Sequence, residues 1–267
     1  MNKTEILSII NQKGGVGKTT TAINLAAGLA LKNKKILVID LDPQGNATTG
    51  LGLSNSENSG ETIYAVLNGT KKISDVIKKT QFQNLDLVSS NVDLSGLEVE
   101  TAGDSRRAFI LKEQIMAYLN DFRGKYEYIF IDCPPSLSLL TVMALVASNS
   151  LIVPLQTEFF ALEGLTQLMK TIERIKISLN SDLKIKGILL TMYDKRNKLS
   201  GQVEKEARDY FKEKVYSTVI PRNVRLSEAP SHGVPVLIYD KLCPGSKSYF
   251  NFTEEFLNKQ ETFESAA

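Results

Sequence analysis

Short apolar runs recur along the chain and alternate with longer stretches of helix-forming residues. The runs are rich in Ile, Leu and Val and show little polar alternation, which is typical of strands buried on both faces. We predict strands at residues 6–10, 36–41, 85–88, 128–131, 151–155, 185–191 and 215–220.

Between the strands, apolar residues return every three or four positions, the period of a helix with one buried face. The clearest stripe is Leu162, Leu165, Leu168, Met169, Ile172 and Ile175. Helices are predicted at residues 20–31, 104–120, 138–148, 162–175, 201–213 and 246–258. This alternation predicts a doubly wound α/β fold, a mostly parallel sheet with helices on both faces.

No linker, repeat or change of composition divides the chain. Residues 1–259 are therefore predicted to form a single domain, and 267 residues is an ordinary length for an α/β domain. The polar stretch at 54–61 predicts a surface loop, and residues 260–267 predict a frayed, disordered tail.

Composition excludes disordered and membrane-spanning classes, because 42% of residues are hydrophobic and 23% are charged. Gln12 and Lys13 interrupt the first apolar run too early for a signal peptide, and the apolar stretch at 137–147 is too short to span a membrane. Cys133 and Cys243 lack the spacing of a zinc site and suggest a reducing compartment. These features predict a cytoplasmic protein, with Cys133 as a buried structural thiol.

A glycine-rich turn, NQKGGVGKTT at residues 11–20, joins the first predicted strand to the first predicted helix. Glycines let successive N–H groups converge on an anion, and the helix N-terminus adds partial positive charge. The turn predicts a phosphate-binding loop in which Lys18 reaches the β and γ phosphates and the Thr19 hydroxyl ligates Mg²⁺. The predicted nucleotide contacts are Lys13, Gly14, Gly15, Val16, Gly17, Lys18, Thr19 and Thr20.

The loop departs from the usual pattern G-x-x-x-x-G-K-[ST], because Gln12 replaces the first glycine and a second lysine follows at Lys13. Two lysines beside one phosphate cradle repel each other unless a polyphosphate is present. This variant resembles the loop of the ParA/MinD group of P-loop ATPases. The resemblance implies a P-loop NTPase fold, Mg²⁺-dependent hydrolysis of ATP, and an ATP-dependent homodimer in which Lys13 reaches the partner's nucleotide.

Carboxylates follow two further strands, at the edge of the sheet where ligands of doubly wound folds bind. Residues 40–46, DLDPQGN, resemble the family's first switch. The resemblance implies that Asp42 positions or deprotonates the attacking water, while Asp40 supports it or lies near the metal. Asp132 ends an apolar strand and resembles the family's D-x-P-P switch. It is predicted to hold Mg²⁺ through a water.

Two later strand ends resemble the family's adenine-side segments. Adenine needs an apolar slot and a few backbone or amide hydrogen bonds. The predicted adenine-side residues are Met192, Pro221, Arg222 and Asn223.

The net charge is only +2, but residues 195–225 carry nine Lys/Arg against four Asp/Glu, a local charge of +5. Alone, such a run favours a solvated face. The sequence VIPRNVRLSEAPSHG at 219–233 is similar to the matching segment of the short chromosomal ParA proteins, often called Soj. The resemblance, from about residue 3 to 257, implies that Arg196 and Arg225 face nonspecific double-stranded DNA on the nucleoid. It also implies a chromosome or plasmid partitioning role and a ParB-like activating partner.

Three alternatives use the same loop. A MinD-like membrane ATPase needs a basic amphipathic C-terminal helix, whereas 251–267 carries Glu254, Glu255, Glu261 and Glu264 against Lys259 alone. No membrane partner is therefore predicted. An iron–sulfur carrier needs paired cysteines, which the sequence lacks. A small-molecule ligase or kinase stays open, although no substrate motif points to one.

Overall fold

A single sheet organises the part of the chain that the computed structural model describes, residues 4–53 and 60–265. Its strands are β1 Glu5–Ile9, β2 Ile36–Asp40, β3 Ile77–Lys79, β4 Leu85–Val88, β5 Tyr128–Asp132, β6 Ser150–Gln156, β7 Lys184–Tyr193 and β8 Val215–Pro221. Their order is β3-β4-β2-β5-β1-β6-β7-β8, and β3 is antiparallel to β4 while the other neighbours are parallel. The predicted parallel sheet is confirmed, with β3 as an edge strand that the sequence did not reveal.

Helices connect the strands. They are α1 Lys18–Leu31, α2 Asn46–Gly50, α3 Ile63–Leu67, α4 Ile73–Val76, α5 Leu97–Glu100, α6 Ile110–Asp121, α7 Leu139–Ala147, α8 Ala161–Ser178, α9 Lys198–Phe211, α10 Arg225–Glu228, α11 Val236–Tyr239 and α12 Pro244–Ser265. Short 3₁₀ turns lie at Val92–Gly96, Arg107–Phe109, Lys212–Lys214 and Ala229–His232. None of the helices within the described ranges is long and apolar enough to cross a bilayer.

The helix predicted at 104–120 begins later, at Ile110. The Asp104 carboxylate accepts a hydrogen bond from the backbone N–H of Arg106 at 2.7 Å and its carbonyl accepts one from Arg107 at 3.2 Å, so this segment forms a turn first. At the other end, α12 continues to Ser265 and so includes most of the segment predicted as a tail. Residues 266–267, and most of the predicted loop at 54–61, lie outside the described residues.

Alternate residues of the central strands pack on opposite faces of the sheet. In β2, Ile36 and Val38 lie in a cluster with α1 and α12, whereas Leu37 and Ile39 lie in a cluster with α6 and α7. The side chains of β6 and β7 continue the second layer against α8 and α9. The doubly wound arrangement predicted from the unbroken apolar runs is therefore confirmed.

Helix α12 covers the free edge of β8. Phe252 and Phe256 are fully buried in the layer that includes α1, and the Glu255 carboxylate accepts hydrogen bonds from the N–H groups of Ser217 and Thr218 at 2.7 and 2.8 Å. Its apolar face is thus packed against the protein, and its glutamate occupies exposed donors of an edge strand.

The crossing of α1 and α12 predicts a stability effect at Gly28. A Cβ atom there would lie 2.2 Å from the Thr253 hydroxyl oxygen, so Gly28→Ala must separate the two helices. We expect a loss of about 1–3 kcal/mol in the free energy of unfolding, measured by urea denaturation. The matched control is Gly164→Ala in α8, where a Cβ meets no atom within 4 Å and should stabilise the protein by up to about 1 kcal/mol. A Gly28→Ala variant as stable as the wild type would contradict this packing.

Candidate nucleotide-binding site

The carboxyl ends of β1, β2 and β5 meet beside a cavity of about 420 Å³. The predicted residues that line it are Gly14, Gly15, Gly17, Lys18, Thr19, Thr20, Asp42 and Met192. Ile23, Asn46, Thr49, Pro135, Pro230 and Ser231 complete the wall. The fold therefore assembles one concave, polar-lined site from segments that lie far apart in the sequence.

The loop between β1 and α1 has the backbone that its glycines allow. Gly15 and Gly17 have φ angles of 74° and 88°, a region that other residues adopt only with strain. Val16 between them is buried, and its carbonyl accepts a hydrogen bond from the Thr191 hydroxyl at 2.8 Å. Asn11 donates to the carbonyl of Pro154 at 2.7 Å. These bonds fix the loop to β6 and β7, which follow β1 on one side of the sheet.

Lys18 lies folded inside the loop. Its side chain is buried, and its ammonium donates a hydrogen bond to the carbonyl of Lys13 at 3.0 Å. Burial lowers the pKa of Lys18, and the carboxylate of Asp132 partly offsets this effect. Within the described ranges, the ammonium has one hydrogen-bond acceptor, the carbonyl of Lys13, and a phosphate oxygen can replace that acceptor.

Lys13 points elsewhere. Its side chain is about half exposed, does not line the cavity, and forms an ion pair with Glu158, which follows β6. Its backbone N–H is held by the Asn11 side chain at 3.0 Å. The two lysines of the loop therefore have different positions, one inside the cavity and one on the surface beside it.

Asp40 and Asp132 are direct neighbours in the register of β2 and β5, and both are fully buried. Asp40 is satisfied within the chain: it accepts hydrogen bonds from the N–H and hydroxyl of Thr48 at 2.8 and 2.7 Å and from the N–H of Asp42 at 3.2 Å. Burial raises the pKa of Asp40 to about 6. Of the two roles left open by the sequence, this geometry favours support of the Asp42 turn.

The carboxylate of Asp132 is buried without a hydrogen-bond partner among the described residues. Burial, and then the neighbouring charge of Asp40, raise its pKa well above the ordinary value, while Thr19 and Lys18 lower it in part. The Thr19 hydroxyl lies close enough to Asp132 to lower the pKa of its carboxyl. Unpaired buried carboxylate oxygens beside a hydroxyl are the oxygen ligands that Mg²⁺ prefers, so these residues fit a magnesium ion.

Asp42 begins the turn that follows β2. Its carboxylate accepts a hydrogen bond from the N–H of Gln44 at 3.0 Å, and its carbonyl accepts one from Gly45 at 2.9 Å. The residue is mostly buried and lines the cavity. A carboxylate fixed by its own turn and facing the phosphate loop is suited to orient a water.

The predicted adenine-side residues divide into two groups. Met192 lines the cavity and has a positive φ of 51°, which is unusual for a residue with a side chain. Pro221 is the last residue of β8, Arg222 and Asn223 follow it, and none of the three lines the cavity. The side-chain oxygen of Asn223 is buried with no hydrogen-bond partner in the described part of the chain. It is the member of this group with an unused acceptor.

The two predicted DNA-binding arginines follow β7 and β8, which are neighbouring strands, and both are held by carboxylates. Arg196 is highly exposed and forms two hydrogen bonds with Asp194 at 3.0 and 2.9 Å, which hold the pKa of Asp194 at about 2. Arg225 is half exposed and contacts Glu228 at 2.7 Å. Both lie at the carboxyl edge of the sheet, on the side of the candidate site.

The unpaired carboxylate predicts a pH-dependent stability. Because the folded-state pKa of Asp132 is raised, the native state binds more protons than the unfolded state, and stability falls as pH rises above about 4. Asp132→Asn should weaken this dependence and stabilise the nucleotide-free protein at pH 7 by about 1–3 kcal/mol. In the wild type, nucleotide with Mg²⁺ should raise the melting temperature more than nucleotide without Mg²⁺. This additional rise should be absent in Asp132→Asn. An unchanged pH profile between 5 and 7 would contradict this assignment.

Comparisons with known proteins agree with this geometry. Residues 4–185 match the family described as AAA domain. The chain is 51% identical over 259 residues to the chromosome partitioning protein ParA of Caulobacter vibrioides, with 97% of this chain and 96% of that protein covered. It is 48% identical over 251 residues to the sporulation initiation inhibitor protein Soj of Bacillus subtilis, with 94% and 97% covered.

Among solved structures, the cobyrinic acid a,c-diamide synthase of Mycobacterium smegmatis, bound to an ATP analog and magnesium, is similar with a TM-score of 0.82 and 32% identity. The alignment covers 97% of this chain and 96% of that one. The P-loop fold predicted from the sequence is confirmed. With identity near 50% along nearly the whole chain, the protein belongs to the ParA/Soj family of chromosome partitioning proteins, within the ParA/MinD group of P-loop ATPases.

Proposed function

We propose that this protein is a partitioning ATPase that closes into a homodimer on ATP, binds nonspecific DNA as that dimer, and leaves DNA after hydrolysis. The observation that carries the proposal is the position of Lys13. Lys13 lies outside the cavity of its own chain and, once it leaves Glu158, can reach the phosphates of a second copy. Lys18 serves the phosphates of its own chain.

The residues of one chain supply binding and orientation. The N–H groups of the loop, the N-terminus of α1 and Lys18 receive the β and γ phosphates. Thr19, and Asp132 through a water, would hold Mg²⁺, which when bound offsets the negative charge of the phosphates. Met192, Pro221, Arg222 and Asn223 are proposed on the adenine side.

Hydrolysis needs a water placed in line with the γ-phosphoryl group. Asp42 is proposed to orient this water and accept its proton, while the bond to the leaving ADP oxygen breaks and phosphate is released. Hydrogen bonds from the N–H groups of Asp42 and Thr48 to Asp40 connect the turn at Asp42 to the start of α2. We propose that loss of the γ-phosphate changes the position of this segment.

DNA binding is proposed at Arg196 and Arg225, doubled in the dimer. Arginine contacts with phosphate are independent of base sequence. Phosphates must displace Asp194 from Arg196, and Glu228 and Asp240 from Arg225, because these carboxylates pair with the guanidinium groups in the free chain. A ParB-like partner and a place on the nucleoid complete the proposal and rest on family resemblance.

The MinD-like alternative needs a C-terminal helix whose apolar face is available to lipid. Here Phe252 and Phe256 of α12 are buried against the sheet, and Glu255 contacts β8. These contacts would have to break before α12 met a membrane. They favour the DNA-binding proposal.

Lys13→Ala tests whether Lys13 acts across the dimer. We expect the variant to stay folded and bind nucleotide as a monomer, because Lys13 lies outside the cavity, but to lose ATP-dependent dimerisation in light scattering. Lys35→Ala removes an exposed lysine just before β2, at the amino ends of the strands and away from the candidate site. This variant should dimerise as the wild type does. Dimerisation of Lys13→Ala at wild-type protein concentrations would overturn the cross-subunit role.

A further inference from the structure

The partner of Lys13 in the single chain is a defined residue on a fixed turn. Glu158 follows β6, where its N–H donates to the carbonyl of Gln156 at 2.9 Å and its own carbonyl accepts from Ala161 at 3.0 Å. Lys13 is fixed on its side by the Asn11 side chain. These bonds fix the backbone at both residues, so the fold brings the two side chains within reach of each other.

The ion pair favours the position of Lys13 beside Glu158, but it is weak enough for a bound triphosphate to replace Glu158. The side chains of Lys13 and Glu158 are 51% and 33% exposed, and solvent screening keeps ion pairs at this exposure weak. A bound triphosphate carries several negative charges and offers Lys13 a stronger partner than one carboxylate. Phe159 and Phe160 follow Glu158 and are 72% and 68% exposed, so a second copy that closes over Lys13 would find apolar surface beside it.

We propose that Glu158 is an intramolecular counter-ion that holds Lys13 in its own subunit and must release it before two ATP-bound subunits close. The inference rests on the proposed function, because it assumes that Lys13 acts across the dimer. Glu158 does not line the cavity and is proposed to act through Lys13, so it is a positioning residue. Its effect is to raise the protein concentration at which ATP drives dimerisation.

The test compares Glu158→Gln with the wild type, in the presence of a non-hydrolysable ATP analogue and Mg²⁺. Glutamine keeps the shape of the side chain and removes the charge. One broken pair per subunit should favour the dimer by roughly 1.4- to 5-fold, so two pairs should lower the dimer Kd by roughly 2- to 30-fold, measured by sedimentation velocity. Nucleotide affinity of the monomer should be unchanged.

The matched control is Glu163→Gln, which removes the same charge from an exposed position on α8 and should leave the dimer Kd at its wild-type value. The difference between the two variants should shrink as salt approaches about 1 M, where the Debye length is about 3 Å. Glu158→Ala provides a second variant and should also strengthen the dimer.

The outcomes separate the two proposals. If the wild type dimerises with the analogue but Glu158→Gln has the Kd of Glu163→Gln, or dimerises less well, the counter-ion role is wrong while the proposed function stands. If the wild type itself stays monomeric at every concentration tested, the proposed function fails and this inference fails with it.

Discussion

Replacing Lys18 with alanine is expected to abolish nucleotide binding. Lys18 is buried at the cavity, and its ammonium donates a hydrogen bond to the backbone carbonyl of Lys13. Two charge-assisted hydrogen bonds to phosphate are each worth about 1.5–3 kcal/mol, so the variant should lose roughly 100- to 10,000-fold in affinity by calorimetry.

The control separates position from charge. Lys13→Ala removes the same charge from the same loop and should bind nucleotide as a monomer, because Lys13 lies outside the cavity. Lys18→Ala should remain folded, since the substitution also removes the free-energy cost of burying an ammonium. Near-wild-type affinity in a folded Lys18→Ala protein would remove the basis for the nucleotide site.

Replacing Asp42 with alanine is expected to slow hydrolysis by roughly 10²- to 10⁴-fold while nucleotide still binds. The loop, Lys18 and Asp132 keep their positions, and only the group proposed to orient water is lost. The variant should therefore accumulate as an ATP-bound dimer, measured by steady-state phosphate release and light scattering in parallel.

Asp42→Asn is the companion variant, because an asparagine oxygen still accepts the N–H of Gln44 and keeps the turn. If loss of the carboxylate is the cause, Asn and Ala should be similarly slow. Turnover at the wild-type rate in Asp42→Ala would assign the water to another group.

The sequence predicted the elements whose signals are local. Seven buried strands, the loop and α1 each combine an unbroken apolar run or helical stripe with recognisable turn chemistry. It missed β3, a three-residue edge strand whose pairing with β4 is antiparallel and whose pattern is too short to stand out. It placed the start of α6 too early because the turn at Asp104 competes locally with the helix.

The candidate site was predictable where motif and strand end coincide, as at Lys18 and Asp42. Contributions from distant segments were not. Pro230 and Ser231 reach the cavity from a 3₁₀ turn more than 180 residues after the loop, although they lie within the family-like stretch at 219–233. Glu158 carries no motif signal, and its contact with Lys13 depends on the neighbouring positions of β1 and β6. Only the three-dimensional arrangement identifies it.

We propose that ATP converts this protein into a DNA-binding dimer. The most direct measurement is binding to duplex DNA of unrelated sequences with ATP, ADP or no nucleotide, each with Mg²⁺ and at 50 and 200 mM salt. Charge reversal in Arg225→Glu shows whether Arg225 contributes to DNA binding. Lys35→Glu is a control at a position distant from β8.

We predict that the protein binds DNA with ATP but not with ADP or without nucleotide, and that binding is independent of DNA sequence. The binding constant should fall steeply with salt, with a log–log slope of roughly −0.9 per phosphate contact. Arg225→Glu should lose this binding and still dimerise, and Lys35→Glu should retain it. Absence of DNA binding with ATP and Mg²⁺ at 50 mM salt, or wild-type binding by Arg225→Glu, would contradict the account.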